Sequence, residues 1–219
     1  QSLNRGAYAE AISYLLRALE LAEQQGDHSP QRGFVHRQLG DAYISVGQLS
    51  KSREHFEQCI KILDKSVSHS TPVLLSRIAG GAFRQTLHRL FSSFFVARIE
   101  DEQNQRTIRE LSRAYDQLAE IYYHANMSFD TLATGIKALN LAESIQPTTQ
   151  LARSYVTMAI VIGTLSLHDL AEHYCKMGED VAKTVNDAHA KIYVAMGSGV
   201  YRVGAGKWDA VEATVPPAI

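Results

Sequence analysis

Apolar and small residues recur along this chain with a period close to 40. The segment RALELAE at 17–23 returns as KALNLAE at 137–143, three steps of 40 further on. A repeat of that length is the signature of a helical solenoid, in which each unit buries its apolar face against its neighbours. Small residues keep the same step. Ala18, Cys59, Ala138 and Gly178 are spaced by 41, 79 and 40, and so are Ala11, Ser52, Thr131 and Ala171. The two series run seven residues apart, about two helical turns, so they share one face where a neighbouring helix can approach closely. The gap of 79 spans two periods and implies one degenerate unit inside it.

Helix punctuation falls in step with this period. A helix over 7–25 ends at Gly26-Asp27, and Ser29-Pro30 starts the next over 31–46. Gly47-Gln48-Leu49 makes a tight turn into 50–65, and Ser68 to Pro72 supplies capping residues before a further start. The pattern over 73–95 then reads as one long helix, interrupted only by Gly80-Gly81, each costing roughly 1 kcal/mol relative to alanine. The degenerate unit is therefore placed at 66–104. Regular helices resume over 105–125, 128–144, 148–165, 167–184, 188–203 and 208–215.

The expected fold class is all-α, an α-α superhelix of helical hairpins. Residues 1–219 form a single repeat region: units over 1–65, the degenerate unit with its long helix, and units over 105–219, the last cut short. The chain starts at Gln1 without a methionine and stops at Pro216-Pro217-Ala218-Ile219 soon after a helix begins, which suggests a piece of a longer protein. The longest nearly apolar run, 155–167, is too short to cross a bilayer and reads as a buried repeat helix.

Gln38-Leu39-Gly40-Asp41-Ala42-Tyr43, followed by Gly47, Ser52, Phe56 and Cys59, resembles the tetratricopeptide repeat. That repeat has a Leu-Gly pair and a Tyr in its first helix, and Ala, Phe and Ala in its second. Leu118-Ala119 with Tyr122, and Met158-Ala159 with Ile162, resemble the same first-helix positions; Ser198-Gly199 continues the series more weakly. A narrower resemblance rests on the runs 118–126, 137–143 and 201–209. They are similar to the carboxy-terminal repeat arrays of large bacterial signalling proteins that join a cyclase or kinase domain to an ATPase.

The resemblance implies a non-catalytic protein-protein interaction and regulatory scaffold, in a cytoplasmic bacterial setting. Its partner would be a protein or peptide, including other domains of the same polypeptide. The alternative is an effector- or nucleic-acid-linked regulatory domain of a transcriptional activator. In this fold the first helix of each pair lines a concave groove. The register puts Arg37, Asp41, Arg113, Asp116, Glu120, Tyr123 and His124 there, with Val156, Ile160, Met196 and Val200 farther on. The groove should change from charged to apolar toward the carboxy terminus. Repeats that clamp a carboxylate tail use Lys and Asn where Asp41 and Glu120 stand, so an acidic tail is disfavoured as ligand.

Charge adds one feature and removes two function classes. The net charge is -1, with 22 Lys+Arg against 23 Asp+Glu, so no overall field recruits nucleic acid or anionic membrane. The basic residues nevertheless cluster: Arg77, Arg84, His88, Arg89 and Arg98 meet no acidic residue until Glu100. Interleaved with Phe83, Leu87, Leu90, Phe91, Phe94 and Phe95, they form a basic amphipathic helix, and Arg77, Arg84, His88 and Arg89 are its candidate docking face for an acidic surface.

Catalytic chemistry finds no support in the spacing. Gly204-Ala205-Gly206-Lys207 has tyrosine and tryptophan where a phosphate loop needs glycine and Ser or Thr. Cys59 and Cys175 sit at small-residue positions of the repeat and read as reduced packing residues. His168, His173 and Cys175 are not spaced to share a metal. No catalytic residue, metal or cofactor is therefore assigned.

Overall fold

The computed structural model describes residues 2–27, 29–64, 71–90, 101–145 and 148–212, and all regular elements among them are α-helices. They are α1 (Ser2–Gln24), α2 (Pro30–Ser45), α3 (Leu49–Leu63), α4 (Thr71–Leu90), α5 (Glu102–His124), α6 (Ser128–Ala142), α7 (Thr149–Thr164), α8 (His168–Val185), α9 (Ala188–Gly204) and α10 (Trp208–Glu212). The side chains of 2–5, 71–74, 77 and 86–90 lie outside the description.

Local chemistry sets the helix ends. The Asp27 carboxylate accepts from the backbone N–H and hydroxyl of Ser29 at 2.7 and 2.9 Å, just ahead of Pro30 in the first turn of α2. Asp101, Thr148 and Asp187 cap α5, α7 and α9 by accepting from backbone N–H groups. The turn between paired helices places a left-handed residue at the same register each time. These are Gly47 (φ 78), Asn126 (φ 57), Ser166 (φ 59) and Gly206 (φ 71). Glycine takes that conformation without a Cβ penalty, whereas Ser166 is held there by its two helices.

Paired helices α2–α3, α5–α6 and α7–α8 stack so that α2, α5, α7 and α9 pack on one another in sequence. Their partners α3, α6 and α8 each reach the next first helix but not one another. The layer of first helices is thus the more closely spaced, and the stack curves with that layer inside. The small-residue series explains the tight pairing. Ser52, Cys59, Ala138 and Ala171 are fully buried, Thr131 nearly so, and Gly178 is buried. In α2, a Cβ on Gly40 would stand 2.5 Å from the ring of fully buried Phe56, and the Ser52 hydroxyl donates to the Gly40 carbonyl at 2.9 Å.

The series fails at one place. Ala18 is exposed and Ala11 half-buried, because α1 packs only on α2, through Ile12, Leu15 and Leu19, and no other described helix meets its far side.

Among the described residues, the segment expected to be a degenerate unit, 66–104, holds α4 and the start of α5. The stack continues past it: α3 packs directly on α5, and α4 lies against α6 on the outer layer. Gly80-Gly81 does not break α4. A Cβ on Gly81 would collide with Ile136 of α6, so glycine at that position permits the close crossing. The docking is pinned by a buried polar network. The Gln85 amide donates to Asn140 Oδ1 at 2.8 Å and to Glu143 Oε2 at 2.6 Å, and Tyr174 donates to Gln85 Oε1 at 3.3 Å. Tyr155 donates to the other Glu143 oxygen at 3.0 Å. The carboxy-terminal end expected for this helix, 91–95, and Arg98 lie outside the described residues.

Candidate functional site

The sequence-derived groove residues lie on α2, α5, α7 and α9, and these helices use several of them to hold the layer together. Arg37 is 8% exposed and bridges Asp41 on its own helix to Glu110 on α5. Arg113 of α5 returns to Asp41 at 2.8 Å. One step on, Asp116 is 3% exposed and faces Arg153 of α7 at 3.9 Å. The Arg153 guanidinium lies 3.8 Å from the ring centre of Tyr193 on α9. Burial raises the Asp116 carboxyl above its ordinary value, against the opposing pull of Arg153 and side-chain hydrogen bonds from Thr157 and Gln150. Burial, with the nearby Asp116 charge, pushes the Tyr193 hydroxyl up to about 12.

What remains open to a partner is narrower than the sequence expectation. Arg113 is 50% exposed, Tyr123 44%, and Glu120 and His124 are also exposed, all on α5. Tyr123 and His124 meet edge to face with centroids 5.6 Å apart. Their neighbour Tyr122 turns inward, donating to Glu57 Oε1 of α3 at 2.9 Å under the Arg53 guanidinium.

The apolar end of the expected groove is divided. Met196 and Val200 of α9 are exposed, but Val156 is fully buried because Gly197 of α9 closes on it, and Ile160 is half-buried in the same contact. Val156 is therefore a core residue of the α7–α9 junction. The reason is that α9 covers in α7 the face that α9 itself exposes.

Of the candidate docking face, Arg84 is exposed. The side chains of Arg77, His88 and Arg89 lie outside the description. Sequence reasoning missed Glu110 and Arg153, the partners of Arg37 and Asp116; Arg153 stands one 40-residue step after Arg113, a spacing that could have marked it, whereas no such step leads to Glu110 from the groove residues named.

The remaining chemistry is structural in character. Cys59 and Cys175 are free, buried thiols; burial pushes Cys59 up to about 12 and raises Cys175. Both are thus poor nucleophiles at neutral pH. Among the described residues no three His, Cys, Asp or Glu side chains gather as a metal site, and no helix is long and apolar enough to cross a membrane.

Comparison with the curated proteins and with the solved structures gave no match. Residues 3–65, spanning α1 to α3, match the family model of the tetratricopeptide repeat. With helices packed in neighbouring pairs throughout the described residues, the chain is an all-α, tetratricopeptide-like solenoid whose family match lies in its first three helices.

Proposed function

We propose that this chain is a non-catalytic protein-protein interaction and regulatory scaffold, working within a multidomain bacterial signalling protein of the ATPase/cyclase kind. Tetratricopeptide repeats generally mediate protein–protein interaction, which supports the first half. The second half rests on the similarity of the runs 118–126, 137–143 and 201–209 to such arrays. The observation that carries the binding reading is the open strip on α5. Glu120, Tyr123, His124 and Arg113, which also pairs with Asp41, are exposed on α5, while Arg37 and Asp116 beside them are buried in helix–helix ion pairs. A strip of both charge signs with one aromatic anchor suits a folded or helical partner surface.

The test is a photo-crosslinking side chain placed at Tyr123 and, as control, at exposed Lys176 on α8, in the full-length protein in cells. Adducts of defined mass from position 123 and none from 176 are the expected result. Equal labelling from both positions would refute a partner on the inner layer.

A further inference from the structure

A cavity of about 320 Å³ lies between the added helix α4 and the groove formed by α3, α5 and α6. Ile60, Leu118, Ala133 and Ile136 give it an apolar floor, and Gly80 leaves the α4 wall without a side chain. This volume lies at the lower end of the range for small-molecule sites.

The polar lining divides into groups that are already matched and two that are not. Glu57 takes Arg53 at 2.7 Å and the Tyr122 hydroxyl at 2.9 Å. Lys137 pairs with Asp64 at 3.1 Å and faces the Tyr115 ring. The Asn140 amide is used by Gln85 and the Gly81 carbonyl. Among the described residues, the Arg84 guanidinium and the Asp130 carboxylate line the cavity without a hydrogen-bond or ion-pair partner.

These two opposite charges stand at opposite ends. Asp130 is in the first turn of α6. Arg84 follows Gly81, which meets Ile136, and precedes Gln85, which meets Asn140, so it lies at the far end of α6. Along a helix, the seven residues from Asp130 to Lys137 rise roughly 10 Å. An extended peptide of three residues spans about the same length.

We propose that this cavity binds a short apolar peptide of about three residues with free ends, its ammonium at Asp130 and its carboxylate at Arg84. The apolar floor takes the side chains, and the inner layer plays no part. This site is independent of the partner strip on α5, so either can fail without the other.

The probe is Ala-Leu-Ala, titrated into the purified chain by calorimetry beside its N-acetyl and C-amide forms. The free peptide should bind, and blocking either end should weaken it about ten- to hundredfold, as expected for loss of a charged hydrogen bond. In Asp130→Asn, acetylation should no longer matter; in Arg84→Gln, amidation should no longer matter. Ala133→Leu fills the floor and should abolish binding with the melting temperature kept. Absence of binding at millimolar peptide, or indifference to end-blocking, overturns the site. Binding kept in the Asp130→Asn/Arg84→Gln double variant but lost in Tyr123→Ala would also overturn it, by moving the peptide to the inner layer.

Discussion

The α2–α5 and α7–α9 junctions occupy the same place in the stack, yet opposite chemistry holds them. At α2–α5 the helices are joined by Arg37, Asp41, Glu110 and Arg113, whose charges must all be matched at once. At α7–α9 the close contact is Ala152 and Val156 against Ala190, Val194 and Gly197, with the Arg153 guanidinium lying over the Tyr193 ring beside it. Close apolar packing tolerates no added volume, whereas an ion-pair junction tolerates change in shape but not loss of a partner. One curvature can thus be kept by two sets of forces, and each responds to a different perturbation.

The largest effect is expected at the apolar junction. Gly197→Leu drives a branched side chain into Val156 and should cost about 3 kcal/mol. Gly199, two residues on, has nothing within 4 Å of the point where a Cβ would stand, so Gly199→Leu should stay within about 0.5 kcal/mol of the parent. Urea melts of the pair make the comparison. Equal losses would mean that the α7–α9 contact is not close-packed.

At the charged junction, Arg37→Ala leaves Asp41 and Glu110 without their shared cation and should cost about 2 kcal/mol. Glu110→Gln added to Arg37→Ala should recover part of that loss, because it removes one stranded charge. No recovery in the double variant would show that Arg37 acts through packing of its stem rather than its charge.

A smaller effect belongs to the hairpin α2–α3. His36 and His55 share a hydrogen bond between their Nδ1 atoms at 2.9 Å, so one imidazole must accept and stay neutral. Burial, then the His55 charge and then Arg32, lower His36 to about 4; burial chiefly lowers His55. Their folded values lie below the unfolded value of 6.5. The unfolded chain therefore takes up protons first as pH falls, and stability is lost from about pH 6.5 down toward 4. With the partial exposure of both rings discounted, the loss between pH 7 and 5 should be about 1 kcal/mol. His36→Gln should flatten this slope, and an unchanged slope would assign it to other groups.

The smallest expected change is a gain. Ser166 occupies the left-handed position that Gly47 and Gly206 fill elsewhere, so Ser166→Gly should stabilise by about 0.5–1 kcal/mol. A thermal melt showing a loss instead would mean that the serine side chain holds the turn.

The repeat was legible in the chain because a solenoid uses the same contact again and again. Small residues in step at Ser52, Thr131 and Ala171, and turn residues in step at Gly47, Asn126, Ser166 and Gly206, are local demands of helix pairing, and sequence spacing records them directly. The ion pairs of the inner layer were not legible: Arg37, Asp41, Arg113 and Asp116 were expected as groove residues, and their partnership with one another and with Glu110 and Arg153 was not foreseen. An ion pair depends on which residue of another helix arrives opposite, and spacing along one helix does not encode that.

The region around α4 marks the limit most clearly. Its period break, its basic residues and its Gly80-Gly81 pair are all visible in the sequence, and they locate an exception without saying how it is accommodated. Only the tertiary structure decided that α3 meets α5 directly, that Gly81 yields to Ile136, and that Gln85 joins Asn140 and Glu143 under the outer layer. These contacts link residues more than fifty positions apart, and each depends on the shape and polarity of a surface that exists only once the neighbouring hairpins have folded. The sequence by itself determined the helices, their turns and the pairing face, because those follow from interactions within a few turns of the chain.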